Sequence, residues 1–135
     1  MIVIDTNIIA YLYLPTEYTK KAEDLLLEEP IWAAPVLWRS EFRNILALYI
    51  RKEILTFDQA VQIQTEAESL MEENEFQVNS LDVLNLVQAS SCSAYDCEFV
   101  ALAQNLQIRL VTADKKIISE FPDIAISIQS VLGER

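Results

Sequence analysis

Apolar residues fall along this chain in two rhythms. Short unbroken aliphatic and β-branched runs occupy residues 2–4, 108–111 and 124–128, with a weaker one at 76–79. Such runs are the pattern of strands buried on both faces. Between them, apolar positions recur at helical spacing over residues 7–14, 19–28, 36–52, 57–73, 81–90, 95–105 and 115–120. Pro35 stands where the third helix should begin, a position that tolerates a missing N–H. Strands alternating with longer helices predict an α/β domain: a parallel sheet flanked by helices on both sides, with a helix-rich insertion after the second helix pair. The pattern has no linker or repeat, so a single domain is expected over residues 1–135, large enough to bury one core.

Composition narrows the chemistry more than the architecture. Hydrophobic residues make up 52% and charged residues 23%, ordinary globular usage that argues against disorder. Histidine is absent and the one glycine is Gly133. These absences exclude Ser-His-Asp and Cys-His nucleophiles, His-ligated zinc, Walker-type phosphate loops and dinucleotide fingerprints. Cys92 and Cys97 have no second pair or histidine to complete a zinc site, and are expected to be small buried thiols of a reducing compartment. No apolar stretch approaches the ~20 residues of a membrane helix. The N-terminus lacks a basic leader, so a cytoplasmic protein is expected.

Ten basic against twenty-one acidic residues give a net charge of -11. That sign opposes binding a polyanion by bulk electrostatics, so a nucleic-acid substrate needs local help. Arg39, Arg43, Arg51, Lys52, Lys115 and Lys116 can form basic patches, and bound divalent cations can supply positive charge. The acidic run over residues 66–75 reads as a solvated helix face.

Four other acids stand where burial is expected. Asp5 ends the first strand and Asp114 follows the run 110–113, both at the carboxyl ends of strands where open parallel sheets bind ligands. Each also suits a helix N-cap. Glu41 lies within the stripe Leu37, Trp38, Ile45 and Leu48, and Asp96 leads Phe99, Val100 and Ala103 at helical spacing. Asp96 is also compatible with a cap. Arg39 and Arg43, two residues either side of Glu41, turn to other faces of that helix and do not neutralise it. If the four converge, each pair of charges ~4 Å apart repels by about 4 kcal/mol at an effective dielectric near 20, a large share of a domain's stability. A cation resolves the conflict. An all-oxygen donor set selects hard ions, Mg²⁺ first and Mn²⁺ second.

The ordered motifs Val3-Ile4-Asp5-Thr6-Asn7, Ser40-Glu41, Ser93-Ala94-Tyr95-Asp96 leading into Val100-Ala101-Leu102-Ala103, and Leu110-Val111-Thr112-Ala113-Asp114-Lys115 span essentially the whole chain. With these residues the sequence resembles the PIN-domain family, in the small single-domain form found as the toxin of VapBC-type toxin-antitoxin pairs. The resemblance implies a Rossmann-like sheet of about five parallel strands and a metal-dependent ribonuclease leaving a 5′-phosphate and a 3′-hydroxyl. It further implies a homodimer and a cognate antitoxin as inhibitor. Asp5, Glu41, Asp96 and Asp114 match the family's acidic quartet, while Thr112 and Asn7 match polar positions lining its site. Arg39, Arg43, Lys115 and Lys116 are the candidate phosphate contacts for RNA. The chain departs from many relatives a turn beyond Asp114, where Ile117 and Ile118 stand in place of a further acid, leaving one ligand fewer for a second ion. Glu98, two residues after Asp96, points some 200° away around the helix and is read as a surface residue or a supporting one.

Two other functions compete. A catalytically weak or inactive PIN-like module that binds RNA or a protein partner suits the -11 charge and the missing fifth acid. A phosphoaspartate enzyme or receiver also places Asp after its first strand, but Asp5-Thr6-Asn7 lacks the paired acids that chemistry uses.

Overall fold

A computed structural model describes residues 1–133. In chain order the elements are β1 (Ile2–Ile4), α1 (Thr6–Tyr13), α2 (Thr19–Glu28), β2 (Trp32–Pro35), α3 (Trp38–Arg51), α4 (Phe57–Met71), β3 (Glu75–Phe76), α5 (Ser80–Gln88), α6 (Ala94–Leu106), β4 (Leu110–Thr112), α7 (Lys115–Glu120), β5 (Ala125–Ser127) and α8 (Ile128–Val131). The strands form one sheet in the order β3-β2-β1-β4-β5. Every pairing is parallel, with Val3 opposite both Ala33 and Leu110. All five carboxyl ends therefore lie along one edge. The chain leaves β1 toward β2 and β3, then returns to β4 and β5 on the other side, so the order reverses at β1/β4, the place where such sheets open a crevice.

The α/β class and the parallel sheet agree with the sequence pattern. β1 and β4 are buried along their whole length because helices cover both faces of the sheet. α6 contributes Cys97, Phe99, Val100, Ala101, Leu102 and Ala103 to the core and packs with α5 over β1, β2 and β4. α1 packs against α2, α3 and α4. Trp32, Trp38 and Phe42 are the largest fully buried side chains. Both cysteines are free and buried, as expected.

β2 is the element that hydrophobic periodicity missed. Trp32-Ala33-Ala34-Pro35 contains two alanines, weak strand formers, and a proline that reads as a breaker. Pro35 ends β2; it does not open α3. Its flanking amides bond to β3, Ala34 N to Asn74 O at 3.1 Å and Val36 N to Phe76 O at 3.0 Å. The nitrogen of Pro35 thus points toward β1, and the ladder between the two strands ends before it, at the pair Val3 with Ala33.

Caps fix the other shifted boundaries. Ile108 lies outside β4 because Gln107 closes α6 in the left-handed region at φ 57° and ψ 44°. Ile128 belongs to α8, since Ser127 Oγ accepts from Ser130 N at 3.1 Å and starts a new helix. β3 is limited to Glu75 and Phe76, before Asn79 caps α5.

Candidate functional site

The four acids meet at the reversal point of the sheet. Asp5 follows β1, Asp114 follows β4, Glu41 stands in the first turn of α3 behind β2, and Asp96 stands in the first turn of α6. Together with Thr6, Asn7 and Asn44 they line one cavity of about 260 Å³ whose apolar wall is Ile45, Phe99 and Ile117.

Asp5 is the deepest, at 7% exposure. Its Oδ1 caps α1 by accepting from Ile8 N at 3.2 Å, and its Oδ2 accepts from the Thr112 hydroxyl. Thr112 is itself fully buried, and its oxygen accepts in turn from Asp114 N at 3.0 Å. One hydroxyl therefore ties the ends of β1 and β4 together and presents both aspartates to the same space. Burial pushes the Asp5 carboxyl up to about 6, against the lowering effect of the bonds from Thr112, Ile8 and Ala113 and with a smaller push from Asp114.

Asp114 caps α7, its Oδ1 accepting from Lys116 N at 2.8 Å and Ile117 N at 3.3 Å. Both strand-end aspartates are thus caps and cavity residues at once. Asp96 is not a cap: Ser93 takes that place, its Oγ accepting from Asp96 N at 3.1 Å. Burial raises the Asp96 carboxyl first and the charge of Asp114 second; Ser93 and Lys116 act weakly against the rise. Glu41 accepts from Thr6 Oγ1 at 2.6 Å. Burial raises its carboxyl, Thr6 opposes that, and the charges of Asp96 and Glu98 add to it.

None of the four forms a salt bridge among the described residues. Three of them are pushed toward the protonated form, the electrostatic signature of a functional site. The donor set is all oxygen, which fits a hard divalent ion. As the side chains stand, however, no three acids or cysteines among the described residues surround one point closely enough to hold a metal ion. Asp5 and Glu41 are turned onto hydroxyls of the protein and Asp114 onto amides of α7.

The basic candidates scatter. Arg39 is committed elsewhere: its Nε and Nη2 grip Glu75 at 2.6 and 2.7 Å, and Nη1 donates to Glu68 at 3.0 Å. Trp38 Nε1 donates to the same Glu75 at 2.7 Å. This geometry makes Arg39 a clamp joining α3 to β3 and α4, in place of the free phosphate contact expected of it. Arg43 is exposed, donates to Ser40 Oγ at 3.1 Å and lines a separate groove between α3 and α4. Lys115 and Lys116 are exposed and follow Asp114 directly, and the charge of Lys116 reaches Asp96, although neither lines the acidic cavity. Glu98 lies in a different cavity, with Val36 and Leu84, although its charge reaches Glu41.

A family model for the PIN domain matches residues 2–124. The chain belongs to the PIN-domain family. Among curated proteins it is similar to Ribonuclease VapC3 of Pyrobaculum aerophilum, 28% identical over 137 aligned residues that cover 90% of this chain and 95% of that one. Among solved structures, PAE2754 from Pyrobaculum aerophilum shares the fold at TM-score 0.75 and 17% identity, covering 98% of this chain and 86% of that one. A toxin-antitoxin complex from Klebsiella pneumoniae contains a chain with TM-score 0.71 and 18% identity, covering 95% and 98%.

Two residues of this PIN domain's cavity carried no role in the sequence. Thr6 holds Glu41 from the residue next to Asp5, and Asn44 lines the cavity one turn after Glu41. The i, i+3 spacing of Glu41 and Asn44 was a usable signal for the second. Nothing local marks Thr6, because its partner is 35 residues away.

Proposed function

We propose that the chain is a ribonuclease that hydrolyses RNA phosphodiester bonds with Mg²⁺ or Mn²⁺, and that it is the toxin of a toxin-antitoxin pair acting in the cytoplasm. The observation that carries this is the convergence of Asp5, Glu41, Asp96 and Asp114, unpaired with any described cation, on one cavity at the strand ends of a PIN domain. The 28% identity to Ribonuclease VapC3 over nearly the whole length of both chains supports the same activity.

A divalent ion bound there supplies positive charge against the scissile phosphate and makes a water molecule more acidic. The chain's own groups do the rest. Asp5, Asp96 and Asp114 hold the ion, and Glu41, kept in place by Thr6, is a further ligand or orients the attacking water. Thr112 fixes Asp5 and Asp114 relative to each other, Asn7 adds an amide at the rim, and Lys115 and Lys116 draw the RNA backbone to the mouth. The acidic cavity also suits a guanidinium, which pairs bidentately with carboxylates, so the inhibiting antitoxin is expected to place an Arg there. The protein is expected to work as a homodimer. No helix among the described residues is long and apolar enough to cross a membrane.

Cleavage of a mixed RNA pool tests the proposal. Activity should vanish in EDTA, return with Mn²⁺ or Mg²⁺, and fall by several orders of magnitude in Asp5→Asn. One observation favours a second reading, a PIN domain that binds RNA or a partner without cutting: among the described residues no three acids already surround one point. Absence of metal-dependent cleavage alongside intact RNA or partner binding establishes that alternative. Retained cleavage by both Asp5→Asn and the EDTA-treated protein refutes the acidic site.

A further inference from the structure

On the other side of the Ala113-Asp114 turn lies a second, smaller cavity of about 190 Å³ that the acid site does not use. Ala113 lines this cavity and its neighbour Asp114 lines the acidic one, so the two open side by side along the carboxyl ends of β1, β4 and β5. Its walls combine two kinds of chemistry. Tyr11, from α1, and Tyr18, just before α2, stand with ring centroids 4.8 Å apart and planes inclined at 33°. Facing them are Lys115 at the start of α7, Ser127 at the end of β5 and Gln129 in α8.

The polar groups here are largely uncommitted. Neither tyrosine hydroxyl, nor the Gln129 amide, nor the Lys115 ammonium has a hydrogen-bond or ion-pair partner among the described residues, whereas Ser127 Oγ is used with Ser130 at 3.0 Å. Both tyrosines are half-buried, so part of each side chain is open to solvent.

We propose that this cavity is a base subsite: it receives the unpaired nucleobase next to the phosphate held in the acidic cavity, stacked on Tyr11 or Tyr18, while Lys115 meets the neighbouring backbone phosphate. This rests on the ribonuclease proposal for the adjoining cavity. The volume sets the class of ligand, since it falls below the roughly 300 Å³ at which drug-sized pockets begin and suits a single planar ring. Aromatic faces, an amide and two phenols are what single-stranded RNA recognition uses, stacking for affinity and donors and acceptors for the base edge. Lys115 separates this cavity from an apolar hole, because it adds the one charge that a base attached to a phosphate requires. A partner helix, by contrast, lays its apolar face into an open groove.

The test uses the full chain in EDTA with probes that contain no phosphodiester bond to cleave. Calorimetric titrations with the four nucleoside 5′-monophosphates, ribose 5-phosphate and inorganic phosphate separate base from phosphate recognition. At least one mononucleotide should bind more tightly than ribose 5-phosphate. Tyr18→Ala should weaken it by between about fivefold and a hundredfold, the range of one stacked ring. Tyr18→Phe should retain the stack, and a thermal melt confirms that each variant is folded. Lys115→Ala, an exposed change, should weaken mononucleotide and ribose 5-phosphate alike. With Mn²⁺ and a short single-stranded RNA, the Tyr18→Ala loss should fall on KM. Equal binding of ribose 5-phosphate and all mononucleotides, or none at all, overturns the subsite even if RNA is cleaved normally. Tyr18→Ala acting on antitoxin capture while leaving nucleotide binding unchanged overturns it too, in favour of a protein partner. Tight mononucleotide binding by a chain that cleaves no RNA supports the subsite and refutes only the ribonuclease proposal.

Discussion

Replacing Asp5 by asparagine should make the metal-free protein more stable at alkaline pH, though it removes a residue at the centre of the proposed chemistry. Burial raises the Asp5 carboxyl from 3.8 to about 6. Asp5 therefore binds its proton more readily in the folded chain than in the unfolded one. Its favourable contribution is complete below the unfolded value and is lost as pH rises through about 6. Two pKa units correspond to about 3 kcal/mol of destabilisation at about pH 8, and to roughly half that at about pH 5. Asparagine carries no charge and escapes this cost. Its single oxygen cannot accept every bond that the two oxygens of Asp5 accept, and losing one of them, such as that from Thr112, costs about 1 kcal/mol at either pH. The net gain is about 2 kcal/mol near pH 8, or roughly 5–10 °C in Tm for a chain of this size, and under about 1 kcal/mol near pH 5. The difference between the two gains, between about 1 and 2 kcal/mol, is independent of the lost hydrogen bond. Urea unfolding of both proteins in EDTA at the two pH values measures it. A destabilisation by Asp5→Asn that is as large near pH 8 as near pH 5 refutes the buried-charge argument and leaves Asp5 as a helix cap.

Arg39→Ala should destabilise the fold by roughly 1–3 kcal/mol in urea unfolding, since it leaves the 10%-exposed Glu75 side chain without its bidentate partner. Arg39 holds the Glu75 carboxyl below its usual range, so this contribution is present at neutral pH and lost as acid protonates Glu75; an unchanged unfolding midpoint refutes the clamp. Gln107→Gly should raise stability by about 0.5–1 kcal/mol, because φ 57° at the end of α6 suits a residue without Cβ. A lower Tm in that variant shows that the glutamine side chain contributes more than its backbone strain costs.

What the sequence revealed follows from the range of each interaction. Three of the four acids announced themselves locally, Asp5 and Asp114 by ending apolar runs and Glu41 by interrupting an apolar helix stripe. Asp96 was ambiguous because Ser93-Ala94-Tyr95-Asp96 offers two caps to one helix, and only the bond from Asp96 N to Ser93 Oγ decides between them. β2 stayed hidden since alanine fills the tight space between α6 and the sheet without marking a strand. Arg39 was misjudged for a related reason. Its position on α3 was legible, but its partners Glu68 and Glu75 sit 29 and 36 residues away and reach it only once α4 and β3 have packed.

The same distinction explains how a chain of net charge -11 can be expected to handle RNA. The basic residues counted along the sequence do not pool into one surface, since Arg39 is consumed by its carboxylate clamp and Arg43 faces a different groove. Lys115 and Lys116 remain beside the acids, placed there because Asp114 caps the helix they begin. Capping therefore does two things with one side chain: one oxygen starts α7 and with it the lysines that follow, and the carboxylate lines the cavity with the other acids. Near the strand ends these two lysines supply local positive charge that the chain as a whole, at -11, does not. A protein built this way favours the strand that can reach the strand ends over any nucleic acid it merely meets: neutralising Lys115 removes part of that attraction, whereas neutralising Lys116 also lifts a restraint on the Asp96 carboxyl, which then rises further.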